Sequence, residues 1–321
     1  MDTRAVVKAL GYLITTVVNI PSNLTVICAF MRTLLCEGKL MTADVILCNL
    51  ALANLMVAFT RSIPQTMAAF GYKNLFDDIG CKLSIYCFRI FRGLSISLTS
   101  LLSTYQAVLI SPATSKLAEL KMKIPKYLPQ IVFILFVVYA VNSADAINNI
   151  VSSVFNNTIP PYTYNMEYCF FITANFTAYL AVGMSKLLID LVFIVVMSIM
   201  SVYILVILHQ HRKKVKSIRS SDSSKSKTSA ETKASRAVVT LVILYDIFFG
   251  VDNVIWLYSQ TIIRVAPLLI DIRIFFATLY ASVCPIVVII TNPKVHGKLQ
   301  LIKMEKAMPT QQNRGTVAEV S

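Results

Sequence analysis

Arg61, Arg89, Arg92, Asp145, Lys186, Asp190, Asp246 and Asp252 sit inside stretches that are otherwise apolar enough for lipid. Ionisable side chains are costly in hydrocarbon and normally face an interior cavity or a partner charge. Lys82, Arg89 and Arg92 are seven and three residues apart and share one face of a helix. At helical rise, Arg89 falls about 12 Å and Arg92 about 16 Å below Cys81. Asn142, Asp145 and Asn149 repeat at three and four residues, and Lys186 and Asp190, four apart, are spaced to pair with one another. Asp246 and Asp252 fall on different faces of their stretch. Arginine makes charge-assisted, often bidentate bonds to carboxylates. Two chemistries follow. Either Arg89 and Arg92 meet a small polar or anionic molecule in a cavity shared with Phe88, Asp145, Asn149, Glu167, Lys186 and Asp252, or Asp145, Asp190 and Asp252 neutralise the arginines internally.

Enzymatic chemistry has little support. The sequence holds no HExxH, GxSxG, phosphate-binding loop or EF-hand loop. Its three histidines, His209, His211 and His296, lie in hydrophilic segments. No catalytic residue, metal site or cofactor is expected.

The elements that must position these charges are helices in lipid. Of 321 residues, 56% are hydrophobic and only 14% charged, against roughly 25% charged in soluble domains. A spanning helix needs about 20 mostly apolar residues, and the chain supplies such runs near 9–31, 43–70, 83–110, 127–154, 176–208, 237–263 and 267–291. None has the period-two alternation of a membrane barrel. The expected fold is an all-α membrane protein: one domain, a seven-transmembrane helix bundle. Val295, Leu299 and Ile302, at helical spacing between lysines, predict a short amphipathic helix on the inner leaflet at the start of the 292–321 tail.

Basic residues set the orientation. Lys116, Lys121, Lys123 and Lys126 lie between the third and fourth runs, and nine Lys or Arg lie from Arg212 to Arg236, whereas 155–175 has none. The positive-inside rule puts the N-terminus outside and the tail inside, as expected at the plasma membrane. The net charge of +14 then reads as a cytoplasmic fringe facing anionic lipid rather than as a nucleic-acid surface. Segment 209–236, rich in Ser, Thr and Lys, reads as a flexible basic cytoplasmic loop.

Of seven cysteines, only Cys81 and Cys169 fall on the oxidising side, and a disulfide between them is the natural reading. Asn156 begins a sequon in the same outer segment and is a glycosylation candidate.

Several contiguous motifs carry a family resemblance. Asn49-Leu50-Ala51-Leu52-Ala53-Asn54-Leu55 is similar to the second-helix signature of rhodopsin-like G-protein-coupled receptors, with Asn54 where Asp is usual. The Asp-Arg-Tyr of that family is replaced by Tyr105-Gln106-Ala107, and Phe88 occupies the position of the amine-receptor Asp. Ser62-Ile63-Pro64-Gln65-Thr66-Met67, Gly80-Cys81-Lys82-Leu83, Phe91-Arg92-Gly93-Leu94-Ser95 and Gln106 through Ser111-Pro112 closely resemble vomeronasal type 1 receptors. Divergence from the usual mammalian pattern, above all at Pro21-Ser22-Asn23, points to a relative outside that expanded group, and the chain is identified as a member of the fish olfactory receptors related to class A. The resemblance implies a chemosensory receptor of sensory neurons. It would bind a small molecule in the outer half of the bundle and couple to a heterotrimeric G protein of the Gi/Go type. Tyr105, Gln106, Lys121, Lys123, Arg212, Lys213 and Lys214 would face that partner.

Two alternatives are a bitter-taste-type receptor, which typically lacks the cysteine pair, and a small transporter or channel. The sequence has no inverted repeat or paired broken helices for the latter.

Overall fold

The computed structural model describes residues 3–112, 115–153, 163–173, 175–217, 225–260, 267–292 and 295. Among them, seven helices are long and apolar enough to cross a membrane. The first is α1 (Thr3–Glu37). The second is α2 (Thr42–Val57), joined through a π-helical turn, Ala58–Ser62, to α3 (Ile63–Ala69). The third is α4 (Asp78–Ile110), and the fourth is α5 (Leu120–Asn142) followed by α6 (Asp145–Asn149). The last three are α7 (Phe176–Ser217), α8 (Lys225–Gln260) and α9 (Pro267–Thr291). The fold is a seven-span bundle.

The most buried span is α4. Around it, Phe30 of α1, Ile46 and Leu50 of α2, Leu98 and Leu102 of α4, Met197 of α7, Leu241 of α8 and Tyr280 of α9 form one apolar core. The opposite faces are apolar too: Phe133, Ile134 and Val141 on α5 and Val192, Ile199 and Val202 on α7 are exposed. Helices apolar all round need a solvent no more polar than themselves, which lipid provides.

Prolines inside two spans shape the interior. Proline has no N–H, and its ring crowds the carbonyl four residues back. Pro64 thereby leaves the Thr60 carbonyl without its α-helical donor, and Ser84 of α4 donates to that oxygen instead at 2.7 Å. Pro285 does the same to Ala281, whose carbonyl accepts from Asn23 Nδ2 of α1 at 3.1 Å. A bond freed within one helix thus becomes a tie between two. The π-helical turn lies immediately before Pro64 and widens the helix there.

Two regions differ from the sequence expectations. The fourth run, predicted as helix to 154, is helical only to Asn149. Ile150–Val151 form β1, which pairs with β3 (Phe170–Ile172), and β3 pairs with β2 (Thr163–Asn165). Both pairings are antiparallel, in the register Ile150↔Phe171 and Tyr164↔Phe171. The bundle therefore carries a small three-stranded sheet at one end. The expected Cys81–Cys169 disulfide, Cα to Cα 5.8 Å, fixes that sheet to the first turn of α4, and Asp78 accepts from the Ser152 N–H and hydroxyl, both at 2.7 Å. The segment 209–236, expected as a loop, is helical over 209–217 and 225–236. Helices already nucleated in the spans extend cheaply through good helix formers such as Lys, Arg and Ala. The amphipathic stretch expected after the seventh span lies outside the described residues, apart from Val295.

Candidate functional site

A cavity of about 190 Å³ opens where the bundle meets the sheet. Its walls carry Arg61 from the π-helical turn, Phe88, Arg89 and Arg92 from α4, Tyr139 from α5, Lys186 and Asp190 from α7, Asp252 and Trp256 from α8, and Arg273 from α9. Tyr164, Met166 and Phe171 of the sheet region close it on the remaining side. Gly93 and Gly183 let two helices approach across it. A Cβ on Gly93 would overlap the Tyr139 ring, and one on Gly183 the Trp256 ring.

The charges form two networks. In the first, Asp145 accepts from Arg89 Nη1 at 2.7 Å with one oxygen and from Lys186 Nζ at 2.8 Å with the other. In the second, Arg92 donates to Asp190 at 3.0 Å and to Asp252 at 3.2 Å, and Asp252 also accepts from Arg273 Nε at 2.9 Å. The Tyr139 hydroxyl reaches the other oxygen of Asp190 at 3.4 Å. The second network balances two cations against two carboxylates, whereas the first sets two cations against one.

Arg61 belongs to neither. Its side chain donates to the Tyr168 hydroxyl at 3.1 Å and lies against two rings, 5.3 Å from the Phe88 centroid and 5.6 Å from that of Tyr168. The residue is 4% exposed, and no carboxylate pairs with it among the described residues. Burial pushes the Tyr164 and Tyr168 phenols up, against the downward pull of Arg273 and Arg61, so both stay neutral. In total, five cationic side chains (Arg61, Arg89, Arg92, Lys186, Arg273) face three carboxylates (Asp145, Asp190, Asp252), an excess of two positive charges among the described residues.

The sheet covers this charge with aromatic faces. The Arg89 guanidinium lies 4.9 Å from the Phe171 centroid and that of Arg273 5.2 Å from Tyr164. Aromatic quadrupoles attract cations without neutralising them. Beside the sheet, Glu167 accepts from Lys8 of α1 and, at 3.0 Å, from Gln65 of α3, and Lys8 also pairs with Asp271 of α9 at 2.8 Å. Glu167 holds φ +72°, in the left-handed region, at the turn between β2 and β3.

The structure brings together Phe88, Arg89, Arg92, Asp145, Lys186 and Asp252 of the expected site. Asp145 stands behind Arg89 and Lys186 rather than in the cavity wall, and neither Asn149 nor Glu167 lines the cavity. The expected Lys186–Asp190 pair is not formed: Lys186 goes to Asp145 and Asp190 to Arg92. Interhelical partners in low dielectric outcompete the helical neighbour. Asp246, on the other face of α8, accepts from Ser198 at 3.0 Å. The sequence marks Arg61 as a charge at membrane depth without giving it a role, and nothing in the spacing singles out Arg273. The rings from the sheet left no sequence signal.

At the opposite end of the bundle, Tyr105 and Gln106 are buried, and Gln106 Oε1 has no hydrogen-bond partner among the described residues. Lys121, Lys123 and Lys213 are exposed, Lys123 being 4.0 Å from Glu119. Arg212 and Lys214 lie on the helical end of α7, their side chains outside the described set, and Asn156 lies outside the described residues.

Comparison with known proteins agrees with this architecture. The profile of the family described as "Vomeronasal organ pheromone receptor family" matches residues 8–300. The chain is similar to olfactory receptor class A-like protein 1 of Danio rerio, 36% identical over 301 residues covering 93% of each chain. It is also similar to vomeronasal type-1 receptor 1 of Gorilla gorilla gorilla, 29% identical over 290 residues covering 90% of this chain and 81% of the relative. To the Homo sapiens vomeronasal type-1 receptor 1 it is 40% identical over 121 residues, 38% of this chain and 34% of the relative.

Proposed function

The chain belongs to the vomeronasal organ pheromone receptor family and is a chemosensory G-protein-coupled receptor of multi-pass membrane type; from that premise we propose that it binds a small polar or anionic molecule in the cavity under the sheet and activates a Gi/Go-type heterotrimeric G protein. The observation that carries the ligand reading is the excess of cationic over anionic side chains around the cavity. An anion entering it meets fixed positive charge in low dielectric, with no reorganisation needed. At about 190 Å³ the space is smaller than the ~300–1,000 Å³ of drug-sized sites, which favours a compact molecule.

The sheet end is the extracellular end in this reading. Its disulfide supports that assignment, since disulfides persist in oxidising compartments, and the basic segments fall at the other end. The receptor then resides in the plasma membrane of chemosensory neurons. Tyr105, Gln106, Lys121, Lys123, Arg212, Lys213 and Lys214 face the G protein. Ligand shifts the population towards the arrangement whose cytoplasmic ends admit that partner.

The test is nucleotide exchange on purified Gi/Go and Gs by the receptor in lipid nanodiscs, challenged with small acids, amines and neutral compounds. Acid-stimulated exchange on Gi/Go alone is the expected result. Stimulation by amines alone would overturn the ligand class, and exchange on Gs alone would overturn the coupling.

A further inference from the structure

Every cation around the cavity except Arg61 has a carboxylate partner among the described residues. Arg89 and Lys186 hold Asp145, while Arg92 and Arg273 share Asp252, with Asp190 a second partner for Arg92. Arg61 presents five N–H donors in a rigid fork, and its one hydrogen bond among the described residues goes to a neutral phenol. A buried guanidinium without an anion is costly, and no described carboxylate answers this charge. The two stretches that join the spans at the sheet end, between Asp145 and Glu167 and between Asp252 and Asp271, contain no Asp or Glu. Glu167, the nearest acidic residue of the sheet, is held by Lys8 and Gln65. The fold nonetheless fixes where Arg61 points. The π-helical turn and the Ser84 tie to Thr60 set the backbone around it, and Phe88 and Tyr168 hold its side chain at the cavity wall.

We propose that Arg61 is the anchor of the ligand site: the singly charged head of a small oxyanion, a carboxylate or sulfonate, docks on its open guanidinium edge between Phe88 and Tyr168. Arg89 and Arg92 are then internal counterions that shape the cavity without bonding the head. This deepens the preceding reading, because it takes the same cavity as the ligand site and names the group that the ligand must carry.

The test needs no G protein. Purified receptor is melted in detergent with butyrate or methanesulfonate, and with butyramide or dimethyl sulfone as uncharged isosteres. Both anions are expected to raise the melting temperature and both isosteres to leave it unchanged. Arg61→Gln weakens the anion effect by about ten- to a hundredfold in concentration, as loss of a charged hydrogen-bond partner requires. Without ligand, Arg61→Gln and Arg61→Met melt at or above the wild-type temperature, because an uncompensated buried charge is removed, whereas Arg92→Gln melts lower. Several results would overturn the anchor: an anion effect unchanged in Arg61→Gln, an equal effect of the isosteres, no anion effect at all, or an Arg61 variant as destabilised as Arg92→Gln. If the anchor fails while acid-stimulated nucleotide exchange persists, the receptor reading stands. If exchange fails while anion binding persists, the anchor stands.

Discussion

The Ser84 hydroxyl donates to the Thr60 carbonyl at 2.7 Å, occupying the acceptor that Pro64 leaves open. Ser84→Ala strands that carbonyl between two spans and should cost about 1–3 kcal/mol. The melting temperature should fall accordingly, and Ser84→Thr, which keeps a hydroxyl, should recover most of the loss.

Asp145 and Arg89 are not equivalent partners. Removing the carboxylate with Asp145→Asn strands both Arg89 and Lys186, whereas Arg89→Gln leaves Asp145 paired to Lys186. Breaking a buried pair so as to leave uncompensated charge costs about 3–5 kcal/mol. Asp145→Asn should therefore lower thermal stability and cell-surface yield well below Arg89→Gln. Equal losses would show that Lys186 does not share the carboxylate.

These networks were only partly legible in the sequence. Seven spans were readable because a run of about 20 apolar residues has few other fates. The residues carrying charge were readable for the same reason, since Arg92 or Asp252 stands out against Leu and Ile. Their pairing was not. Lys186 and Asp190 satisfy the local rule for a helical pair, yet each finds a partner on another span, and that depends on helix rotation. Arg61 was harder still, because its inward aim follows from a local widening of one turn. The strands β1, β2 and β3 are two or three residues each, too short for alternation to register. They exist because Cys169 and Asp78 tie the segment down.

Gly93 is the site of a close crossing. Gly93→Ala would drive a methyl carbon into the Tyr139 ring, displacing that ring from Asp190. Overpacking of this kind costs about 1–3 kcal/mol. Tyr139→Leu in the same chain should restore part of the lost stability, a rescue measurable as non-additivity in melting temperature.

The disulfide closes a separation of 88 residues and holds the sheet over the cavity. Cys81→Ser, Cys169→Ser and the double variant should lose the same stability, about 2–4 kcal/mol. They should also lose acid-stimulated nucleotide exchange together. A single variant that kept full activity would free the sheet from any part in the site.

The π-helical turn at Ala58–Ser62 holds one more residue than an α-helical turn would. A surplus residue in a helix rotates everything beyond it by about 100°. Arg61, Gln65 and Thr66 owe their inward facing to that offset, while the part of the span running back from Val57 to Thr42 keeps its packing against α4. Deleting one codon in this turn would swing the upper segment towards lipid and leave the lower one in place. Insertions and deletions here, rather than substitutions, are the changes through which a lineage of such receptors could gain or discard a cation in the cavity wall in one step.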